Sequence, residues 1–130
     1  MVGKMLSHYR LVEKVGEGGM GVVWKAEDTV LGRTVAVKVL PADVALNAER
    51  RQLFLNEARL AAAVSHAHIA QVHDLGRERD LDFIVMEYVE GQALRGKIGQ
   101  GPLALGETLQ IGIEVAEALE AAHGKGIVHR

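Results

Sequence analysis

The chain has 130 residues, 48% of them hydrophobic, and a formal net charge of −2. This is one globular unit with enough apolar matter for a modest core, and its charge balance gives no reason to expect a nucleic-acid partner. Cysteine is absent, which excludes disulfides and thiolate metal sites, and no apolar run approaches the ~18 residues of a membrane span. Met1 to His8 lacks the apolar core of a signal peptide and reads as a short tail, so a cytoplasmic location is expected.

The elements follow in order. Strands are predicted over about 9–17, 20–28 and 33–40, with Gly32 in the second turn and Pro41 closing the third strand. Arg50 to Val64 is rich in Ala, Leu, Glu, Arg and Gln and predicts a helix. Two further strands are expected at about 70–77 and 81–87, joined by the polar turn Glu78-Arg79-Asp80. Five strands of this kind imply an antiparallel sheet, and with the helices an α+β fold. A short helix is expected over 92–98, interrupted by Gly99, Gly101 and Pro102. A long helix follows from Gly106 to Gly124, with Leu109, Ile113, Ala116, Leu119 and His123 near one face.

Gly16-Glu17-Gly18-Gly19-Met20-Gly21 lies between the first two predicted strands. A dinucleotide-binding unit requires a helix after such a run, whereas Val22-Val23-Trp24 is β-branched and aromatic. A Walker A loop would need GxxxxGK[ST], which does not occur. The glycines therefore predict a hairpin tip. Either it is a plain turn, or its bare backbone approaches phosphates that Lys38 on the next strand would meet with positive charge.

Glu57 falls in the middle of a predicted apolar face formed by Leu53, Leu60, Ala61 and Val64. Lys38 likewise interrupts an apolar strand between Val37 and Val39. A buried unpaired carboxylate costs several kcal/mol or protonates. Either Glu57 is exposed at the edge of the stripe, or Glu57 and Lys38 point inward toward each other. The two misplaced charges explain one another best in the second arrangement. His66, His68 and His73 are close in sequence but lack the further ligands and support that zinc requires, so no metal site is expected.

Taken together, the glycine run with Val23, Val35-Ala36-Val37-Lys38, Asn56-Glu57-Ala58, Phe83 to Gly91, and Gly126-Ile127-Val128-His129-Arg130 resemble the amino-terminal half of a protein kinase domain, most nearly the bacterial serine/threonine kinases of eukaryotic type. The resemblance implies a small lobe over 9–87, a hinge over 88–91 and the start of a large lobe over 92–130. It implies ATP and Mg²⁺ as cofactors and a protein hydroxyl as acceptor. Lys38 would hold the α- and β-phosphates, oriented by Glu57. The loop residues Gly16, Glu17, Gly18, Gly19, Met20 and Gly21 would cover the β- and γ-phosphates. Val15, Val23 and Ala36 would roof the adenine, Met86 would stand behind it, and the backbone of Glu87 and Val89 would bond its edge. Trp24 would be partial core, and His129 a packing residue of the catalytic loop.

The family's proton-accepting aspartate follows His-Arg, and the sequence reads His129-Arg130 at its end. The resemblance thus implies a partial kinase domain without the base or the metal ligands, inactive by itself, while the parent protein of such kinases often carries a later membrane anchor. The alternative function is a non-catalytic nucleotide-binding or docking module. The protein substrate is not identified by these motifs. The long helix would leave an apolar stripe of several hundred Å² without its usual partners, and self-association through it is expected.

Overall fold

The computed structural model describes residues 1–18 and 21–128. In chain order these form β1 (Met5–Leu6), β2 (Tyr9–Gly18), β3 (Gly21–Asp28), β4 (Arg33–Val39), α1 (Ala42–Ala45), α2 (Ala48–Ala62), β5 (Val72–Glu78), β6 (Leu81–Glu87), α3 (Leu94–Gly99) and α4 (Leu105–Gly124). The strands make one antiparallel sheet in the order β1-β2-β3-β4-β6-β5, with α1 and α2 carrying the chain from β4 past β6 to the β5 edge. The α+β class holds, with six strands rather than five. The added strand lies within the expected tail: Leu6 pairs with Tyr9 and is fully buried.

Register divides the sheet into two faces, because residues directly opposite in adjacent strands share a side and alternate along each strand. One row runs Trp24–Val37–Val85 and another Ala26–Val35. These side chains pack with Leu6, Tyr9, Leu11, Val39 and Phe83 into a single core. Each such buried side chain contributes about 1.5–3 kcal/mol. Gly76, opposite Phe83, makes room for it: a Cβ there would lie 2.4 Å from the ring. Trp24 is a full member of this core rather than a partial one.

The sheet curls until β5 reaches the β1–β2 turn. The Tyr9 hydroxyl donates to Asp74 at 2.8 Å, and the Ser7 N–H donates to Glu78 at 2.5 Å. Burial, then the bond to Asp74, pushes the Tyr9 hydroxyl well above the usual phenol range. At the other turn, the buried Asp28 carboxylate accepts the N–H groups of Val30 and Leu31, both at 2.9 Å. These bonds hold its pKa below the ordinary carboxylate value.

Helix α2 begins at Ala48, two residues ahead of the predicted start, and is capped by Asn47, whose side chain accepts the Arg50 N–H at 3.0 Å. Its buried line runs through Leu55 and Ala58, with Arg51 half-buried behind them. That line is about a third of a turn from the predicted one; Leu53 and Leu60 are 58% and 49% exposed. The cause is a charge pair. Arg51 donates two hydrogen bonds, at 2.6 and 2.8 Å, to Asp82 on β6, which is only 1% exposed. The guanidinium holds the Asp82 carboxyl below its ordinary pKa.

Removing one partner of a pair of this kind leaves a buried charge or dipole uncompensated. Asp82→Asn is expected to cost about 2 kcal/mol in urea unfolding, less than a fully buried pair because Arg51 keeps some access to water. Tyr9→Phe should cost about 1 kcal/mol. Since the folded pKa of Asp82 is depressed, the pair's contribution is complete above the unfolded carboxylate value, about 3.9, and is lost as pH falls through the folded value. Asp82→Asn should therefore flatten the acid limb of the stability profile; an unchanged acid limb would contradict the assignment.

Candidate functional site

The second face of the sheet carries the site. The row Gly16–Val23–Lys38–Ile84 crosses four strands, and the adjoining row is Lys25–Ala36–Met86–Val72. Helix α2 lies against this face. Its buried line faces the sheet, and its flank carries Phe54, Glu57 and Ala61. Between helix and sheet is a cavity of about 360 Å³, lined by Lys38, Glu57, Phe54, Val72, Ile84 and Met86 among others. Lys38 and Glu57, the two charges that interrupt apolar patterns, thus line one space. Glu57 is exposed yet lines this cavity, because the flank of α2 borders the opening. Burial pushes the Lys38 ammonium below the usual lysine pKa. An anion that re-solvates it there would push it back up.

The glycine run is a hairpin tip. Gly18 pairs with Gly21, and Gly16 with Val23. Gly19 and Met20 lie outside the described residues. Gly21 has φ +108°, and a Cβ on it would come within 2.1 Å of the Val39 carbonyl oxygen. The start of β3 can therefore approach the end of β4 only with glycine at this position. Val15 sits at a register shift between Lys14 and Gly16 and is exposed. The Glu17 carboxylate is engaged by Lys14, and Glu17 pairs with Val22 across the hairpin.

The remaining expected positions divide. Val23, Ala36 and Met86 share the Lys38 face, with Ala36 buried. The Glu87 N–H is committed to the Gln71 carbonyl at 2.8 Å, so a bound base could meet Glu87 only through its carbonyl. Val89 is exposed beyond the sheet. His129 and Arg130 lie outside the described residues. Sequence reading passed over Ile84, which alternation with Met86 could have found, and Ile127, which lines the same cavity from the far end of the chain.

The fold and the site's layout match known proteins. The family described as protein kinase domain matches residues 9–130. The chain belongs to the protein kinase domain family. It is 44% identical over 126 residues to the probable serine/threonine-protein kinase pknA2 of Bifidobacterium longum, covering 94% of this chain and 17% of that protein. It is 42% identical over 132 residues to the serine/threonine-protein kinase PrkC of Bacillus subtilis, covering 100% of this chain and 20% of that protein. The chain thus spans about a fifth of the length of these curated relatives. The crystal structure of a cysteine-to-alanine mutant of the Mycobacterium tuberculosis PknI kinase domain superimposes with a TM-score of 0.87 at 33% identity, over 100% of this chain and 54% of that one. The antiparallel sheet with α2 is the family's small lobe, and α3 and α4 begin its large lobe.

Among the described residues no three His, Cys, Asp or Glu side chains converge on a point that could hold a metal ion. The residues described here do not fit a resident Mg²⁺ site. His66 and His68 stand with ring centroids 5.4 Å apart, and His68 meets Glu117 at 3.5 Å, a contact between the connector and α4.

Gly21→Ala is expected to destabilise the chain by about 2 kcal/mol or more, through the clash with Val39 and the left-handed backbone. Gly32→Ala, at φ +69° but with open space around a Cβ, should cost about 1 kcal/mol. Equal losses on thermal unfolding would show that the β3–β4 approach is not what requires glycine.

Proposed function

We propose that these residues form the nucleotide-covering half of a serine/threonine protein kinase site, which moves the γ-phosphoryl of Mg-ATP to a protein hydroxyl. The observation that carries this reading is the placement of a partly desolvated Lys38 in one cavity with Glu57, beside the glycine hairpin. A partly buried ammonium is a strong electrostatic partner for a phosphate oxygen, because little water competes for it. In this reading Lys38 holds the α- and β-phosphates and Glu57 orients it. The hairpin of Gly16, Glu17, Gly18, Gly19, Met20 and Gly21 lies over the β- and γ-phosphates, where backbone N–H groups replace water. Val15, Val23, Ala36 and Met86 bound the base, and Glu87 and Val89 present backbone to its edge. Mg²⁺ bound with the nucleotide would supply shielding of the phosphate charge, and none of the described residues is assigned to hold it. The chain's own contribution is positioning and charge stabilisation.

The family's proton-accepting aspartate has no counterpart within residues 1–130. For a polypeptide of these residues the reading is therefore nucleotide binding without transfer. ATP is expected to bind weakly, and Lys38→Met to weaken it about ten- to hundredfold, the worth of a charge-assisted hydrogen bond. Calorimetric titration measures both affinities, and radiolabel transfer to a generic protein substrate tests for catalysis. Transfer above the Lys38→Met background would overturn the non-catalytic part. ATP binding indifferent to Lys38→Met would overturn the site.

We also propose that α4 drives self-association of this polypeptide. Leu105, Leu109 and Ile113 recur at helical spacing and are all more than half exposed. The helix's other apolar side, Ile111, Val115, Ala118 and Ala122, faces the connector after α2 across a cavity of about 590 Å³. Sedimentation at micromolar concentration should show association that Leu109→Glu with Ile113→Glu abolishes. A monomeric parent chain would contradict this.

A further inference from the structure

We infer that Lys25 is a positioning residue for the adenine edge, acting through Tyr88; the inference rests on the nucleotide reading proposed above. Lys25 pairs with Glu13 on β2 and Ala36 on β4, and Ala36 pairs with Met86 on β6. Lys25 therefore stands on the same face as Lys38, one row nearer the end of β6. Although Glu13 lies opposite it in the register, its ammonium stands over the Tyr88 ring, 5.2 Å from the centroid. That is within the range of a cation–π contact.

Tyr88 is the first residue after β6, in the segment 88–93 that leads to α3. Within that segment it alone is not exposed. On the other side, Glu87 is held by the Gln71 carbonyl through its N–H, and its carboxylate accepts the Gln71 N–H at 3.1 Å. The segment 87–89 is thus gripped by Gln71, the residue before β5, through the Glu87 backbone and carboxylate, and from β3 by Lys25 through the Tyr88 ring. Without the second grip the segment could swing about Glu87, and the groups offered to a base would lose their fixed direction. Lys25 acts here as a strut against an aromatic face. Its role differs from that of Lys38, whose charge faces the cavity.

The two roles separate by ligand. Titrate the full chain with adenosine, ATP and inorganic tripolyphosphate. Lys25→Gln should weaken adenosine and ATP by the same factor, about two- to fivefold, and leave tripolyphosphate unchanged. Lys25→Arg should restore binding, since guanidinium also stacks on an aromatic face. Tyr88→Leu should reproduce the loss, Tyr88→Phe should not, and Lys25→Gln with Tyr88→Leu should be no weaker than either alone. A loss confined to ATP and tripolyphosphate would make Lys25 a phosphate-attracting charge and overturn the proposal, as would a Lys25→Gln chain that binds adenosine normally. If the parent chain binds none of the three, the nucleotide reading fails. The strut is then judged by NMR alone: upfield-shifted Lys25 ε-protons that relax in Tyr88→Leu retain it, and unshifted protons overturn it.

Discussion

The buried pair of Arg51 and Asp82 sets where helix α2 lies, and the cleft follows from that placement. Two hydrogen bonds to a carboxylate that is almost wholly shielded from water fix one point of the helix on β6. From that point α2 can only run along the face that carries Lys38, Ile84 and Met86, because Asp82 alternates with Phe83 and so shares their side. Six residues on from Arg51, about 9 Å along the axis, comes Glu57, on the flank that borders the cavity. A charge pair outside the cleft thus decides which charge enters it.

The curled sheet serves the same end from its other side. Its core face is apolar and closed by Tyr9 and Asp74 across the seam between the two ends of the sheet. The opposite face keeps a lysine at its centre and a glycine hairpin at its rim. One strand, β4, supplies both: Val35, Val37 and Val39 to the core, Ala36 and Lys38 to the cleft. Stability and binding are separated by alternation alone, which is why a costly half-buried ammonium can be held without disturbing the packing behind it.

Much of this was legible in the sequence. The strands carrying the glycines, Lys38 and Met86 show period-two alternation or turn chemistry strong enough to place them within a residue or two. The family followed from five motifs in order. What was not legible depended on contacts between distant segments. Met5–Leu6 is too short to show a period, and only its pairing with Tyr9 makes it a strand. Asp82 read only as one residue of the 81–87 strand, because nothing local announces that Arg51 will come to it. The apolar face of α2 was therefore drawn through Leu53 and Leu60 rather than Leu55 and Ala58. Asn47 was a readable helix start that composition alone passed over. On α4 the expected stripe contains the exposed Leu109 and Ile113, while the side turned to the connector is Ile111, Val115 and Ala118. A helix with two apolar faces gives periodicity no means to rank them.

The sheet presents a partly desolvated cation, Lys38, in the cleft it shares with Glu57, and in the proposed reading this cation meets an anionic ligand. The most direct measurement is an NMR titration of the Lys38 ε-group, labelled at its terminal carbon, with and without ATP. In the free chain the pKa should lie below the ordinary lysine value, about 10.4, because burial disfavours the ammonium. It should rise when ATP is added, because phosphate charge favours the protonated form. A Lys38 that titrates at the ordinary value and does not respond to ATP would contradict this reading.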